Sequence, residues 1–315
     1  MATSTFGWHS TTNDVLEGID FSGKRVLITG VSAGLGVETA RALVAHGAEV
    51  VGVVRDVAKA RKAIAGAMSD ADAIALAEGD LASLASLRAC ADRLLADGRP
   101  FDVIIGNAGI MACPQGRTVD GFELQFGTNH LGHFVLINRV APLLRPGGRV
   151  VMLASAGHRT GDVDLDDPNF ENSPYEEIAA YGRSKTANIL FAVEFDRRHR
   201  ERGIRATALH PGGIYTELMR HLTPDVHQRL VATSKQHADP DKPSLGLKSV
   251  AQGAATSVWA GFVAPADLVG GRYCEDCQVV EPGGSGSQVR PYAIDPARAK
   301  ALWTKSEELV GEHFA

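Results

Sequence analysis

Lys24-Arg-Val-Leu-Ile-Thr-Gly30-Val-Ser-Ala-Gly34-Leu-Gly36 decides the fold of this chain. Residues 24–30 are an apolar run stopped by glycine, the pattern of a short strand buried on both faces. The glycine turn passes straight into a helical pattern, Val37 to His46, which Gly47 closes. Ala48-Glu-Val-Val-Gly-Val-Val54 is a second strand, ending at Arg55-Asp56. Strand, glycine turn, helix and strand form a βαβ unit, and such units build parallel sheets. The expected fold class is α/β: a doubly wound parallel sheet of Rossmann type, with helices on both faces.

Working outward, the same alternation continues. Val57 to Ala67 reads as a small-residue helix, and Ile74 to Glu78 as a short strand ending at Asp80-Leu81. Leu84, Leu87, Ala91 and Leu94 share one helical stripe. Phe101 to Ile105 is another buried strand, stopped by Gly106-Asn107-Ala108-Gly109. A long helix is expected from about Gly121 to Leu144, ended by Pro146-Gly147-Gly148, and then a strand from Arg149 to Leu153 with Ser155 just beyond it. An acidic loop over 157–180 leads to a helix carrying Tyr181 and running to about Arg202. Ile204 to Leu209 is a sixth strand, before His210-Pro211-Gly212-Gly213. Val250 to Phe262 reads as a helix, Gly271 to Cys274 as a last strand, and Asp295 to Val310 as a final helix. Residues 1–22 are polar and aperiodic, an arm laid on the surface. The remainder, 23–315, reads as one domain with substrate loops at 157–180 and 214–248.

Composition narrows the setting. A chain of 315 residues is long enough for an ample core. A net charge of -5 gives no electrostatic reason to expect nucleic acid or anionic membrane as partner. No run of about 18 apolar residues suggests a membrane span, and no signal-peptide core is present. The four cysteines, Cys90, Cys113, Cys274 and Cys277, suit a reducing cytoplasm and no disulfide framework.

Three motifs carry chemistry. A glycine loop between strand and helix brings backbone N–H groups and a helix N-terminus against a pyrophosphate. Here Gly30 permits the turn, Gly34 the approach of phosphate, and Gly36 the packing of helix on sheet. The end of the second strand decides the cofactor: a carboxylate there favours NAD, whereas the Arg55 guanidinium suits the 2′-phosphate of NADP. Asp56 follows directly, so one residue of register exchanges the two. The third motif is Tyr181-Gly-Arg-Ser-Lys185. On a helix its Tyr and Lys lie one turn apart on one face. A neighbouring ammonium is expected to lower the phenol from its usual pKa of about 10 toward the working pH, which suits proton exchange with an alcohol or carbonyl oxygen.

Thr29-Gly-Val-Ser-Ala-Gly-Leu-Gly36, Asn107-Ala-Gly109, Asn129, Ser155, Tyr181-Gly-Arg-Ser-Lys185 and Pro211-Gly212 together resemble a short-chain dehydrogenase/reductase over about residues 22–280. Asn129-His-Leu-Gly-His-Phe134, the long loop before Tyr181 and Gly271-Arg-Tyr-Cys-Glu-Asp-Cys277 are most similar to the retinol-dehydrogenase and WW-domain-oxidoreductase subgroup. The 26-residue separation of Ser155 and Tyr181 is about twice that of the commonest members. The resemblance implies that Tyr181 acts as acid in reduction and base in oxidation. It implies that Lys185 lowers the tyrosine pKa and holds the nicotinamide ribose, while Ser155 steadies the reacting oxygen. Asn129 would keep a water linking Lys185 to solvent. Gly30, Ser32, Gly34, Leu35, Gly36 and Arg55 would bind cofactor, with Asp80 and Leu81 bordering the adenine. Asn107, Ala108 and Gly109 would support the sheet near the ribose, and Pro211, Gly212 and Thr216 the nicotinamide end. Ala33 departs from the serine that related members often carry, which weakens the 2′-phosphate pocket.

The expected protein is thus an NADP-preferring alcohol–carbonyl oxidoreductase acting on a small molecule. NAD use, a dinucleotide-binding sensor without catalysis, an epimerase or dehydratase, and a homo-oligomer stay open. No metal is expected, since Cys274-x-x-Cys277 lacks a second pair or a histidine cluster at ligand spacing. His130 and His133 read as packing, His158 as a residue of the pocket rim, and the acidic residues of 162–171 as solvated. Residues 214–248 mix Met219, Leu222, Leu230 and Val231 with prolines and with His221, His227 and His237. They suggest a lid over a bulky, mainly apolar substrate.

Overall fold

In the computed structural model, β1 (Arg25–Thr29) is buried along its whole length and pairs in parallel with β2 (Glu49–Val54) on one side and β4 (Phe101–Gly106) on the other. The structure describes residues 5–70, 72–222, 228, 246–284 and 288–314. Parallel pairing extends outward through β3 (Ile74–Glu78) at one end and β5 (Leu144–Leu153), β6 (Arg205–His210) and β9 (Tyr273–Glu275) at the other. An antiparallel strand, β10 (Gln278–Val279), finishes the order β10-β9-β6-β5-β4-β1-β2-β3. The order reverses between β1 and β4. A crevice opens at the carboxyl ends of the strands at such a reversal.

Alternate residues of each strand feed two cores. Val26, Ile28, Val103 and Ile105 join α1 (Thr12–Leu16), α2 (Gly34–Ala45), α3 (Val57–Ala67) and, after a gap in the chain order, the helix Val250–Val258. Leu27, Ile104, Val150 and Met152 face α4 (Leu84–Asp97), the turn α5 (Leu124–Phe126), α6 (Gly132–Val140) and α7 (Glu177–His199). With Val250–Val258 as α8 and a short α9 (Ala266–Val269), the last helix is α10 (Pro296–Val310). It covers the outer side of α7, where Trp303 stacks on Phe191 with ring centroids 5.8 Å apart. No helix among the described residues is long and apolar enough to cross a membrane.

Several boundaries differ from the sequence reading. The N-terminal arm is not only a surface strap: α1 carries a Thr11/Asp14 capping box and buries Val15 and Leu16, an element too short to show periodicity. The helix expected over 121–144 starts at Leu124, winds as a π-turn over Gly127–Leu131, and returns to α geometry in α6. Pro146-Gly147-Gly148 lies inside β5, in an irregularity where Phe101 pairs with Leu144 and Val103 with Arg149. The last strand is a hairpin, turned by Asp276 and Cys277 at positive φ. Of the expected lid, Glu217–His221 forms a 3-10 turn, and the ribbon β7 (Gly213–Ile214) with β8 (Leu247–Lys248) joins the two ends of the segment. His227, Leu230, Val231 and His237 lie outside the described residues.

Candidate active site

The crevice begins at Gly30, whose φ of +80° admits glycine readily. A Cβ there would also stand 2.8 Å from the Cβ of Ala108. A Cβ on Gly36 would run into the carbonyl oxygen of Gly30, so the first turn of α2 packs directly on the strand-end backbone. Side chains cap five other helices: Asp56 on α3, Ser83 on α4, Glu176 on α7, Ser249 on α8 and Asp295 on α10. Ala33 gives α2 no such cap. Its leading N–H groups, which helix geometry leaves without partners, therefore face the crevice beside Ser32, Gly34 and Leu35. That arrangement fits a pyrophosphate. Leu35 contributes backbone only, because its side chain packs toward Gly253 on α8.

The other expected cofactor residues line the same edge of the sheet. Asn107 donates its side-chain N–H to the Thr29 carbonyl at 2.8 Å and its backbone N–H to Thr29 Oγ1 at 2.9 Å, joining the ends of β4 and β1. Asp80 follows β3 and accepts from Ala82 N at 3.0 Å; the Leu81 side chain is buried. Pro211 and Gly212 follow β6, with Gly212 at φ +99° against the buried stem of Lys248. Thr216 caps the next 3-10 turn and faces Gly34 across the crevice. The two residues at the end of β2 are placed differently. Asp56 is committed as the α3 cap, accepting from Lys59 N at 2.9 Å. Arg55 is exposed just past β2 and makes no hydrogen bond or ion pair with a described residue.

Tyr181 and Lys185 on α7, Ser155 and Asn129 come from three separate parts of the sequence and meet beyond the ends of β4 and β5. Tyr181 is buried, with the Ser155 side chain beside its phenol. Gly157 backs the tyrosine ring, since a Cβ there would stand 2.9 Å from it. Lys185 Nζ lies 5.6 Å from the centroid of that ring and donates to the Leu153 carbonyl at 3.0 Å. Asn129 Oδ1 accepts from Ile110 N at 2.8 Å, while its Nδ2 donates to Ile110 O and to Ser184 Oγ, each at 2.9 Å. Ser184 in turn donates to the Tyr181 carbonyl at 2.7 Å. Gly109 runs between Asn129 and Lys185; a Cβ on it would lie 3.1 Å from Asn129 Oδ1 and 3.4 Å from Lys185 Nζ.

Electrostatics correct one expectation. Burial pushes the Tyr181 phenol up to about 12, with the neighbouring Ser155 hydroxyl a smaller opposing influence. Burial also pulls Lys185 down to about 8. With only protein groups around it, Tyr181 is not brought down by Lys185, because desolvation outweighs the neighbouring charge.

Three side chains that sequence reasoning misplaced or passed over are also fixed here. His158 is fully buried behind the site, not at its rim. Its Nε2 accepts from Arg290 N at 3.3 Å, which leaves Nδ1–H to donate to the Ser155 carbonyl at 2.7 Å. Asn188, one turn beyond Lys185 and not singled out from the sequence, donates to Leu153 O at 3.1 Å. Asp167 in the acidic loop is not simply solvated: it accepts from Glu171 N, Asn172 N and Ser173 Oγ and pins the loop before α7. Spacing alone gave no signal for any of these contacts. Cys274 and Cys277 are buried in the β9–β10 hairpin against Thr207 and Thr256.

Comparison with known proteins agrees with this geometry. The short chain dehydrogenase family profile matches residues 24–227. The short-chain dehydrogenase/reductase prx1 of Penicillium roqueforti is 39% identical over 297 residues, covering 91% of this chain and 85% of the relative. Retinol dehydrogenase 14 of Homo sapiens is 38% identical over 313 residues, covering 92% and 87%. A solved structure of an uncharacterised protein from Mycobacterium paratuberculosis superposes with a TM-score of 0.73 at 33% identity, covering 98% of this chain and 99% of that one. The parallel sheet, the glycine turn against its uncapped helix, and these extended matches have one reading: the chain belongs to the short-chain dehydrogenase/reductase family of nicotinamide-dependent oxidoreductases, in its retinol-dehydrogenase-like subgroup.

Proposed function

We propose that the chain interconverts an alcohol and a carbonyl on a bulky, mainly apolar small molecule, with NADP(H) preferred and Tyr181 moving the proton. One observation carries the reading: a buried phenol set beside Ser155 and one helical turn from a buried Lys185. The cofactor, when bound, supplies or accepts the hydride. In the reductive direction Tyr181 holds its proton through neutral pH and gives it to the nascent alkoxide, while Ser155 donates to the same oxygen. Asn129 and Lys185 form the route by which that proton is replaced. The NADP preference rests on Arg55, which makes no hydrogen bond or ion pair with a described residue at the edge of β2, while Asp56 is held in a helix cap. The apolar substrate is supported by a human relative named for retinol, a bulky apolar alcohol. Buried free cysteines suit a cytoplasmic setting.

The test is a screen of alcohols and carbonyls with both nicotinamide cofactors, followed by Tyr181→Phe on the best substrate. Turnover is expected to fall by at least about a hundredfold, with the dissociation constant for NADPH unchanged within error. Comparable turnover in the Phe variant removes Tyr181 from the mechanism.

A further inference from the structure

The π-turn Gly127–Leu131 carries Asn129, and four residues later α6 carries His133, which is fully buried. Both ring nitrogens of His133 are engaged. Nδ1 lies 2.9 Å from the Asn129 backbone carbonyl, and Nε2 lies 2.9 Å from Thr29 Oγ1. The polarity of this chain follows from counting hydrogens. Thr29 Oγ1 already accepts two backbone N–H groups, Asn107 N at 2.9 Å and Ala108 N at 3.0 Å. A hydroxyl has two lone pairs and one proton, so its proton goes to His133 Nε2. The ring is then the Nδ1–H tautomer and donates to the Asn129 carbonyl.

We propose that His133 is a positioning residue for the proton route: locked in one tautomer by Thr29, it fixes the backbone of the π-turn at Asn129, whose side chain lies across Gly109 from Lys185. The inference rests on the reading of Tyr181, Lys185 and Asn129 given above. Thr29 ends β1 immediately before the glycine turn, and Asn107-Ala108 follow β4. The chain of bonds therefore runs from the backbone framing the cofactor crevice to the backbone of Asn129. His133 itself moves no proton. Burial and the Lys185 charge hold its pKa at about 4, so the ring stays neutral, and protonation of Nε2 would expel the Thr29 hydroxyl proton. His130, the other titratable ring nearby, points away to Ser306.

Two substitutions separate positioning from packing. Phe in place of His133 keeps the bulk and loses both bonds. Asn in its place can still donate to the carbonyl four residues back, as Asn138 does to Phe134 O at 2.9 Å on the same helix. Both variants leave Thr29 without its acceptor, so they share that structural cost. His133→Phe is expected to lower kcat by about tenfold and to raise the solvent deuterium isotope effect, with KM for the cofactor within about twofold. His133→Asn is expected to stay within about threefold of the parent, with the parent's isotope effect. Equal losses in both variants with an unchanged isotope effect would show that the ring only fills space, and would overturn the proposal. Ring ¹⁵N resonances of the unmodified protein give a second arm that needs neither activity nor a folded variant. Nδ1 should be protonated, Nε2 bare, and neither should titrate between about pH 5 and 9; the opposite tautomer overturns the assignment. Full turnover in Tyr181→Phe would instead end the underlying reading, and the two failures are distinct.

Discussion

Lys185→Met should make this protein more stable at neutral pH while removing its activity. Lys185 is 3% exposed, so solvent screens little of the cost of charging it. Its pKa of about 8 in place of 10.5 corresponds to about 3 kcal/mol. The direction follows from proton binding. Above about pH 10.5 both folded and unfolded chains carry a neutral amine and nothing is lost. As pH falls from 10.5 to about 8, the unfolded chain takes up a proton that the folded chain does not, and stability declines. Below about 8 both are charged and the full cost is present. Methionine fills a similar volume without charge, and the Leu153 carbonyl keeps its bond from Asn188 at 3.1 Å. A gain of about 2–3 kcal/mol at pH 7 is expected, or roughly 3–5 °C in Tm for a chain of this size. Urea unfolding followed by circular dichroism at pH 7 and again near pH 10 measures it. A Met variant that is no more stable at pH 7, or whose gain does not shrink toward pH 10, would refute the account of Lys185 as a charge held at a cost.

Two further outcomes follow from the crevice. Arg55→Ala should weaken NADPH by at least about tenfold, the order of a lost charge-assisted bond, and leave NADH nearly unchanged; Asp56→Ala should cost about 1 kcal/mol of stability as a lost cap without altering the ratio of the two dissociation constants. Equal shifts for both cofactors in Arg55→Ala would sink the assignment of the 2′-phosphate contact. Gly36→Ala places a methyl against Gly30 O and 2.6 Å from Asn107 Nδ2, and overpacking of this kind costs about 1–3 kcal/mol. Cofactor affinity, read by fluorescence titration, should fall with it, and an Ala variant that binds normally would mean that the turn has slack.

What the sequence revealed divides along physical lines. The sheet was legible because strands buried on both faces need unbroken apolar runs, and Arg25–Thr29 and Phe101–Gly106 supply them. The glycine turn was legible because Gly30 and Gly36 answer a backbone requirement that only glycine meets. The π-turn was not, because one extra residue in a helical turn leaves the apolar stripe nearly intact on either side. The roles of Arg55 and Asp56 were ambiguous for a different reason: strand-end register is fixed by the cap that starts α3, and both readings satisfy the same pattern. His158 and Asp167 were misplaced because burial within a loop depends on chain segments far away, Arg290 among them.

The misjudged pKa of Tyr181 has the deepest cause. Spacing shows that a phenol and an ammonium share a helix face; it does not show how much water reaches them. In the folded chain burial acts on both, and in opposite directions, lifting Tyr181 to about 12 and lowering Lys185 to about 8. Each shift favours the neutral form, because an ion in this setting loses hydration that one neighbour cannot replace. A phenol that keeps its proton at neutral pH suits the acid role proposed for it. An amine near 8 can lose and regain a proton close to neutrality, which is what resupply of that acid requires. Working as a base in oxidation needs Tyr181 brought down by charge that these protein groups do not provide. On the reading proposed above, the Asn129 backbone held by His133, the buried amine and the raised phenol form one arrangement, in which burial sets the proton levels and hydrogen bonds set the path.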